Sequence, residues 1–244
     1  MNTTLTIVIP AYNESRRIIK TLNEIDEYIL HREPADYLVL VVDDGCLDDT
    51  KEVVSSWIKD KSKNKGCFKV ISYSPNKGKG YAVREGFSNT NTDLVLYTDA
   101  DGASPIQEVE KLLSAINEGF DLACGSRVLK GDGNTVEMSF KRRFVGFTFQ
   151  CILKLFGLAP LKDTQCGFKL FKIDVAKKLA QNRKCFNYSF DIEYLFLAKK
   201  FGYKIKEVPI NWYHVKGSKV SIFRDSIKML IEVLEIRFMY KYNW

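Results

Sequence analysis

Two acidic residues that follow an apolar run are the part of this sequence with the clearest potential for chemistry. Residues 94–102 read LVLYTDADG, so Asp99 and Asp101 stand one residue apart where a buried strand would end. Carboxylates at this spacing repel each other unless a positive charge lies between or in front of them. Because Mg²⁺ and Mn²⁺ prefer oxygen ligands, the pair indicates a divalent cation or a basic side chain. An isolated pair of this kind is most often a solvated turn.

Polar residues also follow two other apolar runs. LTIVI at 5–9 precedes PAYNE at 10–14, and YLVLVV at 37–42 precedes DDG at 43–45. Parallel strands end at one edge of a sheet, and α/β proteins bind ligands in the crevice beyond that edge. The agreement of three strand ends therefore favours one binding site over three unrelated solvated turns.

A glycine-rich turn, NKGKG at 76–80, follows the third strand pattern. Glycines there could bring the backbone close to a ligand, and an ordinary entry into a helix explains the same spacing equally well. The turn is not a P-loop, because the P-loop lysine is followed by Ser or Thr after a longer loop.

The elements that must position these groups alternate between strand and helix. The first helix carries Ile18, Leu22, Ile25 and Ile29 at helical spacing. Further helices are predicted at about 48–62, 79–88 and 105–118, the last with Ser104 as N-cap and Pro105 in the first turn. Strands are predicted at 5–9, 37–42, 68–73, 94–98 and 120–124. This alternation predicts an α/β fold with a mostly parallel sheet and helices on both faces.

Two amphipathic helices are predicted in the second half of the chain, where the alternation weakens. Residues 139–157 place apolar side chains at helical spacing beside a basic cluster, which fits a helix in a membrane interface: Phe140, Phe144, Phe147, Cys151 and Leu155, with Lys141, Arg142, Arg143 and Lys154. Residues 220–239 repeat the pattern with Ile227, Leu230, Ile231, Leu234 and Phe238 opposite Arg224, Lys228, Glu232 and Glu235. Either segment could instead be a surface helix packed on the core.

The composition limits the class of protein. With 244 residues, 45% of them hydrophobic, the chain can bury a full-sized core, and we expect a single domain. Its 37 basic and 30 acidic residues give a formal net charge of +7. This diluted excess suits phosphate-bearing small molecules or an anionic membrane better than nucleic acid, which would call for a denser basic stripe.

The cysteines and the apolar runs of the sequence indicate where in the cell the protein is found. Six cysteines occur without a CxxC pair, and there are two histidines, which predicts free thiols in a reducing cytoplasm rather than disulfides or a zinc site. The first residues pass straight into a strand pattern, and no apolar run reaches the length of about 18 residues that a spanning helix needs. We expect no signal peptide and no membrane span, and a cytoplasmic protein with at most peripheral contact at the membrane face.

Eight motifs occur in an order that resembles the family 2 glycosyltransferases of GT-A fold. They are IVIPAYNE (7–14), VVDDG (41–45), NKGKGYAVREG (76–86), TDADG (98–102), GSR (125–127), DTQCGFKLF (163–171), FDIEYL (190–195) and GSK (217–219). Within that family the chain looks most like the dolichyl-phosphate β-glucosyltransferases and related polyprenyl-phosphate sugar synthases. The resemblance implies one Rossmann-like GT-A domain, with a nucleotide-binding half at 1–125, an acceptor half at 126–219 and an amphipathic C-terminal helix at 220–244.

The resemblance also implies roles for individual residues. Asp99 and Asp101 would hold Mg²⁺ or Mn²⁺ and bridge the ribose and the diphosphate, and Arg127 would lie near the sugar or phosphate. The residues implied to bind the nucleotide are Pro10, Ala11, Tyr12, Glu14, Asp43, Lys77, Gly78, Asp99, Ala100 and Asp101. The residues implied to bind the diphosphate or an acceptor phosphate are Arg142, Arg143, Lys216, Ser218 and Lys219.

The implied reaction moves glucose from UDP-glucose to a polyprenyl or dolichyl phosphate with inversion at the anomeric carbon. The cation, together with Arg and Lys, would stabilise the departing diphosphate. A phosphate acceptor is already anionic and requires no general base. A saccharide or protein hydroxyl acceptor would require one, and Asp163, Asp191 and Glu193 are then the candidate catalytic carboxylates. GDP-mannose and N-acetylhexosamine donors stay open, because pocket shape separates them.

Two features depart from the family pattern. Cys46 stands where Ser commonly follows DDG, and the membrane helices that many relatives carry at either end have no counterpart here.

A haloacid-dehalogenase-type phosphatase also uses a DxDG, but on its first strand, whereas three strands precede it here. A sugar-nucleotide pyrophosphorylase would place a glycine-rich, arginine-bearing loop where PAYNE stands, and a silent binding module would have no need of both acids.

Overall fold

The computed structural model describes residues 3–33, 36–131, 133–138, 140–182, 187, 189–215 and 222–240. Its strands are β1 (Leu5–Ala11), β2 (Tyr37–Asp44), β3 (Phe68–Tyr73), β4 (Leu94–Thr98), β5 (Leu122–Ser126), β6 (Phe168–Lys172) and β7 (Ile205–Pro209). Its α-helices are α1 (Ile18–Leu30), α2 (Thr50–Asp60), α3 (Lys79–Ser88), α4 (Val109–Asn117), α5 (Phe140–Leu155), α6 (Ile173–Asn182), α7 (Phe190–Lys200) and α8 (Ile222–Met239). Short 3₁₀ turns precede β3 and α4.

The strands form one sheet in the order β3-β2-β1-β4-β6-β5-β7. β1 pairs in parallel with both β2 and β4, and β2 pairs in parallel with β3. The chain therefore crosses from β1 to β3 on one side and resumes at β4 on the other side of β1. This reversal creates a switch point, where a crevice opens beyond the strand ends. The predicted α/β fold with a mostly parallel sheet is confirmed.

The core lies in two layers, one on each face of the sheet. All seven residues of β1 are buried, as expected for a strand that is covered on both sides. Ile7 and Ile9 belong to the layer under α1 and α4, while Val8 belongs to the opposite layer with Ala82 and Val83 of α3. Helices on both faces hold β1 and its strand end rigidly in place.

Several details differ from the sequence prediction. β1 and β2 each extend two residues further than predicted, to Ala11 and Asp44. The helix expected from residue 105 opens as a 3₁₀ turn at Ile106–Glu108, with Pro105 at the N-cap position and no side-chain cap. The predicted N-cap Ser104 is therefore wrong, as is the placement of Pro105 in the first turn. β5 begins two residues later than predicted, and the Asp121 carboxylate that precedes it accepts the backbone N–H of Lys204 and binds Lys172. β6 comes from DTQCGFKLF and lies antiparallel between β4 and β5, a placement that helix–strand alternation does not indicate.

Both amphipathic helices expose some of their described apolar side chains and bury others. On α5, Phe144, Phe147 and Leu155 are 63%, 68% and 83% exposed, while Phe149 and Leu153 pack inward. On α8, Ile231 and Phe238 are more than half exposed, whereas Val233 and Ile236 are fully buried. α5 and α8 are in contact. Among the described residues, no helix combines the length and apolarity needed to cross a membrane.

Candidate active site

The three polar strand ends meet at one edge of the sheet. Ala11 pairs with Asp43 across β1 and β2, and Asp43 in turn pairs with Ser72 of β3. Val8 pairs with Tyr97 of β4, two residues before Asp99. The sequence prediction that these groups share one crevice agrees with this register.

A cavity of about 300 Å³ opens beside the end of β2. Its lining consists of Asp43, Gly45, Cys46, Asp48, Lys51, Glu52, Ser72, Tyr73 and Ser74. The Asp43 carboxylate accepts the backbone N–H of Cys46 at 2.8 Å and the hydroxyl of Ser72 at 2.9 Å. These two donors fix the acid at the cavity wall, where its remaining lone pairs can accept an N–H from a heterocyclic base.

Cys46 is compatible with this wall although Ser commonly stands there. Its Sγ accepts the backbone N–H of Asn13 at 3.1 Å. Burial, with help from the neighbouring Asp43, raises the pKa of the Cys46 thiol to about 12. The thiol is therefore neutral at pH 7 and adds no charge beside Asp43.

The glycine-rich turn is held by Asp44 rather than left open. The backbone N–H groups of Lys77 and Gly78 donate to its carboxylate at 2.8 and 2.9 Å, and Asn76 donates through its side chain at 2.8 Å. Gly45 has a φ of +65°, and a Cβ there would lie 2.6 Å from the backbone nitrogen of Asn76. The turn thus packs directly on the β2 strand end and sets where α3 begins.

Asp99 lies at the centre of the crevice in contact with a lysine. Lys79, the first residue of α3, places its Nζ 2.6 Å from Oδ1 of Asp99, and the Tyr97 hydroxyl donates to the same oxygen at 3.1 Å. Burial alone would raise the pKa of Asp99, but the Lys79 charge outweighs it and holds that pKa below its ordinary value. With 38% of its side chain exposed, the ionised carboxylate is accessible to a ligand.

A glycine supports the other side of Asp99. The Asp99 backbone N–H donates to the carbonyl of Gly167 at 3.2 Å. A Cβ on Gly167 would lie 2.1 Å from Oδ2 of Asp99, so only glycine fits beside the carboxylate. The glycine in DTQCGFKLF therefore leaves room for the Asp99 carboxylate. Sequence reasoning did not single out this residue.

The negative charge of Asp101 faces Arg17, which lies too far away for a hydrogen bond. Its Oδ1 accepts the backbone N–H of Ala103 at 3.1 Å, and its Oδ2 lies 4.0 Å from Nη1 of Arg17. Arg17 is fixed by Glu14 through two bonds of 2.8 and 2.6 Å. Burial, and after it the Asp99 charge, raises the pKa of Asp101 above its ordinary value. The second acid is thus less well compensated than the first.

Arg127 and Asp163 form an ion pair in the second half of the site. Nε and Nη2 of Arg127 each bind one oxygen of Asp163 at 2.8 Å, and the Arg127 backbone N–H adds a bond of 2.9 Å. Glu207 supports this pair by accepting the Asp163 backbone N–H at 2.8 Å. Burial opposes the ionisation of Asp163, yet Arg127 lowers its pKa below the ordinary value.

Behind Asp99 lies a buried pair of Lys169 and Asp191. Their side chains are 1% and 7% exposed, Nζ lies 2.6 Å from Oδ1, and Lys169 also donates to the carbonyl of Cys166 at 2.6 Å. Burial raises the pKa of Asp191 despite this partner. Glu193, two residues on, is fully buried and accepts the Tyr240 hydroxyl at 2.6 Å.

Four of the predicted site residues are held by contacts within the chain: Lys77 and Gly78 by Asp44, Asp163 by Arg127 and Asp191 by Lys169. The others fall into three groups. Asp43, Asp99, Asp101, Arg127 and Glu14 surround or support the crevice, with Pro10, Ala11 and Ala100 in the backbone around it, and Tyr12 39% exposed. Arg143 is exposed on α5, and the side chain of Arg142 lies outside the described part of the chain. Lys216, Ser218 and Lys219 also lie outside it.

Sequence reasoning missed the cations that face the acids. Lys79 is the second lysine of NKGKG, and its position at the start of a helix that enters the crevice was the available signal. Arg17 and Lys169 had no such signal, since their roles depend on partners 84 and 22 residues away. In the described residues, no set of three His, Cys, Asp or Glu side chains is grouped to bind a metal. Two acids and a phosphate-bearing ligand could still share one hard cation.

Solved structures with the same architecture include glucosyl-3-phosphoglycerate synthase from Mycobacterium tuberculosis. Its complex with Mn²⁺ and UDP-glucose superposes with a TM-score of 0.71 at 18% identity, covering 97% of this chain and 79% of that one. Its complex with UDP gives a TM-score of 0.69 at 18% identity, covering 98% and 80%. At this identity the likeness shows a shared fold, and the expected GT-A architecture is confirmed.

Other relatives are more similar to this chain in sequence. Dolichyl-phosphate β-glucosyltransferase of Saccharomyces cerevisiae is 36% identical over 249 residues, covering 97% of this chain and 75% of that protein. The enzyme of the same name from Homo sapiens is 32% identical over 246 residues, with coverage of 97% and 75%. Residues 6–180 match the glycosyl transferase family 2 model. On this evidence the chain belongs to glycosyl transferase family 2 and is a glycosyltransferase.

Proposed function

We propose that this protein transfers glucose from UDP-glucose to a polyprenyl phosphate, such as dolichyl phosphate, with inversion at the anomeric carbon. Relatives at 32–36% identity named dolichyl-phosphate β-glucosyltransferase support the acceptor and the sugar. The UDP-glucose complex of the structural neighbour supports the donor. The chain's own geometry adds an independent argument about the acceptor.

The observation that carries this proposal is the state of the three candidate bases. Asp163 is bound by Arg127, Asp191 by Lys169 and Glu193 by Tyr240, all at 2.6–2.8 Å, and all three acids are buried. A hydroxyl acceptor would need a carboxylate within hydrogen-bond reach of its proton. A phosphate oxygen is anionic near neutral pH and needs none. The buried acids therefore favour a phosphate acceptor over a hydroxyl.

We assign the donor to the crevice on the basis of its chemistry. The cavity at Asp43 suits the nucleoside, and Asp99 and Asp101 suit a Mg²⁺ or Mn²⁺ ion that they would share with the diphosphate. The fit rests on two partly exposed carboxylates at one strand end and on the space that Gly167 leaves beside Asp99. When bound, the divalent ion would supply positive charge to the departing diphosphate.

We assign further stabilisation of the departing diphosphate to basic side chains of the protein. Asp163 holds Arg127 in one orientation and keeps its pKa above the ordinary value, so Arg127 stays charged and oriented. A charge fixed before the reaction stabilises a leaving diphosphate without reorganisation. We assign the same role to Lys216 and Lys219, as the family resemblance implies. The resemblance likewise assigns binding of the acceptor phosphate to Arg142 and Arg143.

A donor and acceptor panel tests this function. UDP-glucose, GDP-mannose and UDP-N-acetylglucosamine would each be incubated with the protein, Mn²⁺ and either polyprenyl phosphate or the corresponding polyprenol, and the products weighed by mass spectrometry. We expect a glucosyl phosphodiester from UDP-glucose and polyprenyl phosphate, and no product from polyprenol. Transfer to polyprenol at a comparable rate would refute the phosphate acceptor.

The outward faces of α5 and α8 support membrane contact, which a lipid acceptor would require. The exposed rings of Phe144 and Phe147 stand on α5 beside exposed Arg143 and Lys154. Apolar side chains beside basic ones are typical of helices that lie in the headgroup region of an anionic bilayer. We propose peripheral membrane attachment through these two helices.

Replacing both rings tests the attachment. The double variant Phe144→Ser and Phe147→Ser should partition at least about tenfold less onto vesicles of phosphatidylcholine and phosphatidylserine, because each ring loses its apolar transfer free energy. Co-sedimentation at low salt measures this. Leu30→Ser, on the distant end of α1 and 41% exposed, is the control and should sediment like the wild type. Equal sedimentation of the double variant would contradict the attachment.

A further inference from the structure

The acids nearest to Asp99 and Asp101 are paired with the chain's own cations. Asp99, Asp101, Asp163, Asp191 and Glu14 are linked to Lys79, Arg17, Arg127 and Lys169 by ion pairs or by direct electrostatic coupling. We call these nine residues the charge cluster. Its five carboxylates and four cations leave a formal excess of one negative charge.

This balance disfavours a divalent ion that arrives alone. The ion would add two positive charges beside Lys79 and Arg17, which already face the two acids, and unbalanced charge at a partly buried site is costly. A divalent ion together with a nucleotide diphosphate, which carries at least two negative charges, adds no net positive charge. The charge of the cluster therefore favours binding of the ion together with the diphosphate over binding of the ion alone.

Lys79 is the residue that competes most directly with the ion. Its Nζ lies 2.6 Å from Oδ1 of Asp99, the distance of a strong charge-assisted bond. Only 28% of its side chain is exposed, so it holds the acid from within the crevice. Lys79 extends from the first residue of a helix whose entry turn is bound to Asp44, and this anchoring keeps its charge close to the acids.

Arg17 acts on the second acid in the same direction. Glu14 binds its Nε and Nη2, which leaves Nη1 pointing to Asp101 at 4.0 Å. This Nη1 is buried and makes no hydrogen bond within the described residues. A guanidinium nitrogen in that state suits a further anionic oxygen at the crevice.

We propose that Lys79, assisted by Arg17, keeps the divalent ion off Asp99 and Asp101 until a nucleotide diphosphate accompanies it. Lys79 is then a positioning residue that holds Asp99 and yields the carboxylate when the ion and the diphosphate bind together. The inference rests on the proposed function only in taking a nucleotide diphosphate as the companion of the ion.

Titration with Mn²⁺ tests this, because the electron paramagnetic resonance signal of free Mn²⁺ falls as the ion binds; the fall that UDP causes without protein is measured separately and subtracted. Wild type should bind Mn²⁺ at least about tenfold more tightly in the presence of UDP than alone. Lys79→Met should bind Mn²⁺ alone at least about tenfold more tightly than wild type, since a repelling charge is removed. A merely structural role would weaken the binding instead.

Two matched variants separate charge from structure. Tyr97→Phe removes the other donor to the same Asp99 oxygen without changing the charge, and its affinity for Mn²⁺ alone should stay near that of wild type. Lys20→Met removes a lysine that is 73% exposed on α1, and it should also match wild type.

Three results would overturn the proposal: equal affinity of wild type for Mn²⁺ with and without UDP, unchanged or weaker binding by Lys79→Met, or an increase in Tyr97→Phe as large as in Lys79→Met. The titration needs no sugar transfer. If transfer to polyprenyl phosphate fails while the Mn²⁺ pattern holds, the proposed function falls and this inference stands. If transfer occurs and the Mn²⁺ affinities do not differ, this inference falls alone.

Discussion

Replacing Asp101 by Asn is expected to lower kcat/KM for sugar transfer by about 10²–10³-fold without lowering the melting temperature. The loss follows because the amide replaces a charged oxygen that would face the cation and the diphosphate. Asp99→Asn should lose activity to the same degree. The two variants should differ in stability, and that difference makes the prediction specific to this site.

The stability difference follows from the directions of the two pKa shifts. The pKa of Asp101 is raised, by burial and then by Asp99, so its ionised form costs folding free energy at neutral pH and Asn removes that cost. The pKa of Asp99 is lowered because Lys79 outweighs burial, so its ionised form contributes stability above the ordinary pKa of Asp. That contribution is lost as pH falls through the folded-state pKa, and Asp99→Asn removes it at every pH.

Steady-state kinetics and thermal unfolding at pH 7 measure both effects. We expect Asp101→Asn to melt at or above the wild-type temperature and Asp99→Asn to melt below it. Asp60→Asn, an exposed acid at the end of α2, is the control and should change neither quantity. Wild-type activity in Asp101→Asn would contradict a role for this carboxylate in donor binding.

Lys169→Met is expected to lower the free energy of unfolding by about 3–5 kcal/mol. The lysine is 1% exposed and is bonded to both Asp191 and the Cys166 carbonyl at 2.6 Å. Its removal leaves the Asp191 carboxylate buried without that partner. Denaturant unfolding measures the change.

A second variant and a control on the same strand sharpen this prediction. Lys169→Met combined with Asp191→Leu should recover most of the loss, because a buried ion pair can be replaced by apolar side chains of similar volume at little cost. Lys172→Met, also on β6, breaks a pair with Asp121 in which the lysine is 38% exposed, and should cost no more than about 1 kcal/mol. Equal losses in Lys169→Met and Lys172→Met would show that burial of the first pair has no energetic weight.

The first half of the fold was predictable because its signals are local. β3, α3 and β4 occupy the residues predicted from their apolar patterns, and the positions of Asp43, Asp99 and Asp101 follow from the rule that parallel strands end at one edge. The strand β6 was not predictable in the same way. It reaches its place between β4 and β5 through pairings with residues at least 45 positions away, and no local pattern encodes such pairings.

The site shows the same division between local and distant information. Acids at strand ends are visible in the sequence, whereas the partners that set their charge are distant: Lys79 for Asp99, Arg17 for Asp101 and Lys169 for Asp191. The apolar spacing of α5 was also visible, but spacing alone does not tell which face is buried. The structure places Phe144 and Phe147 outward and packs the helix on the core through Phe149 and Leu153 instead.

Removal and return of the divalent ion is the most direct test of the central claim, that Asp99 and Asp101 bind a cation on which glucosyl transfer depends. The protein would be stripped with a chelator and assayed with UDP-glucose and polyprenyl phosphate before and after addition of Mn²⁺ or Mg²⁺. We predict no glucosyl phosphodiester from the stripped wild type, recovery on addition of the ion, and little recovery in Asp101→Asn. Full transfer by the stripped enzyme would contradict the account.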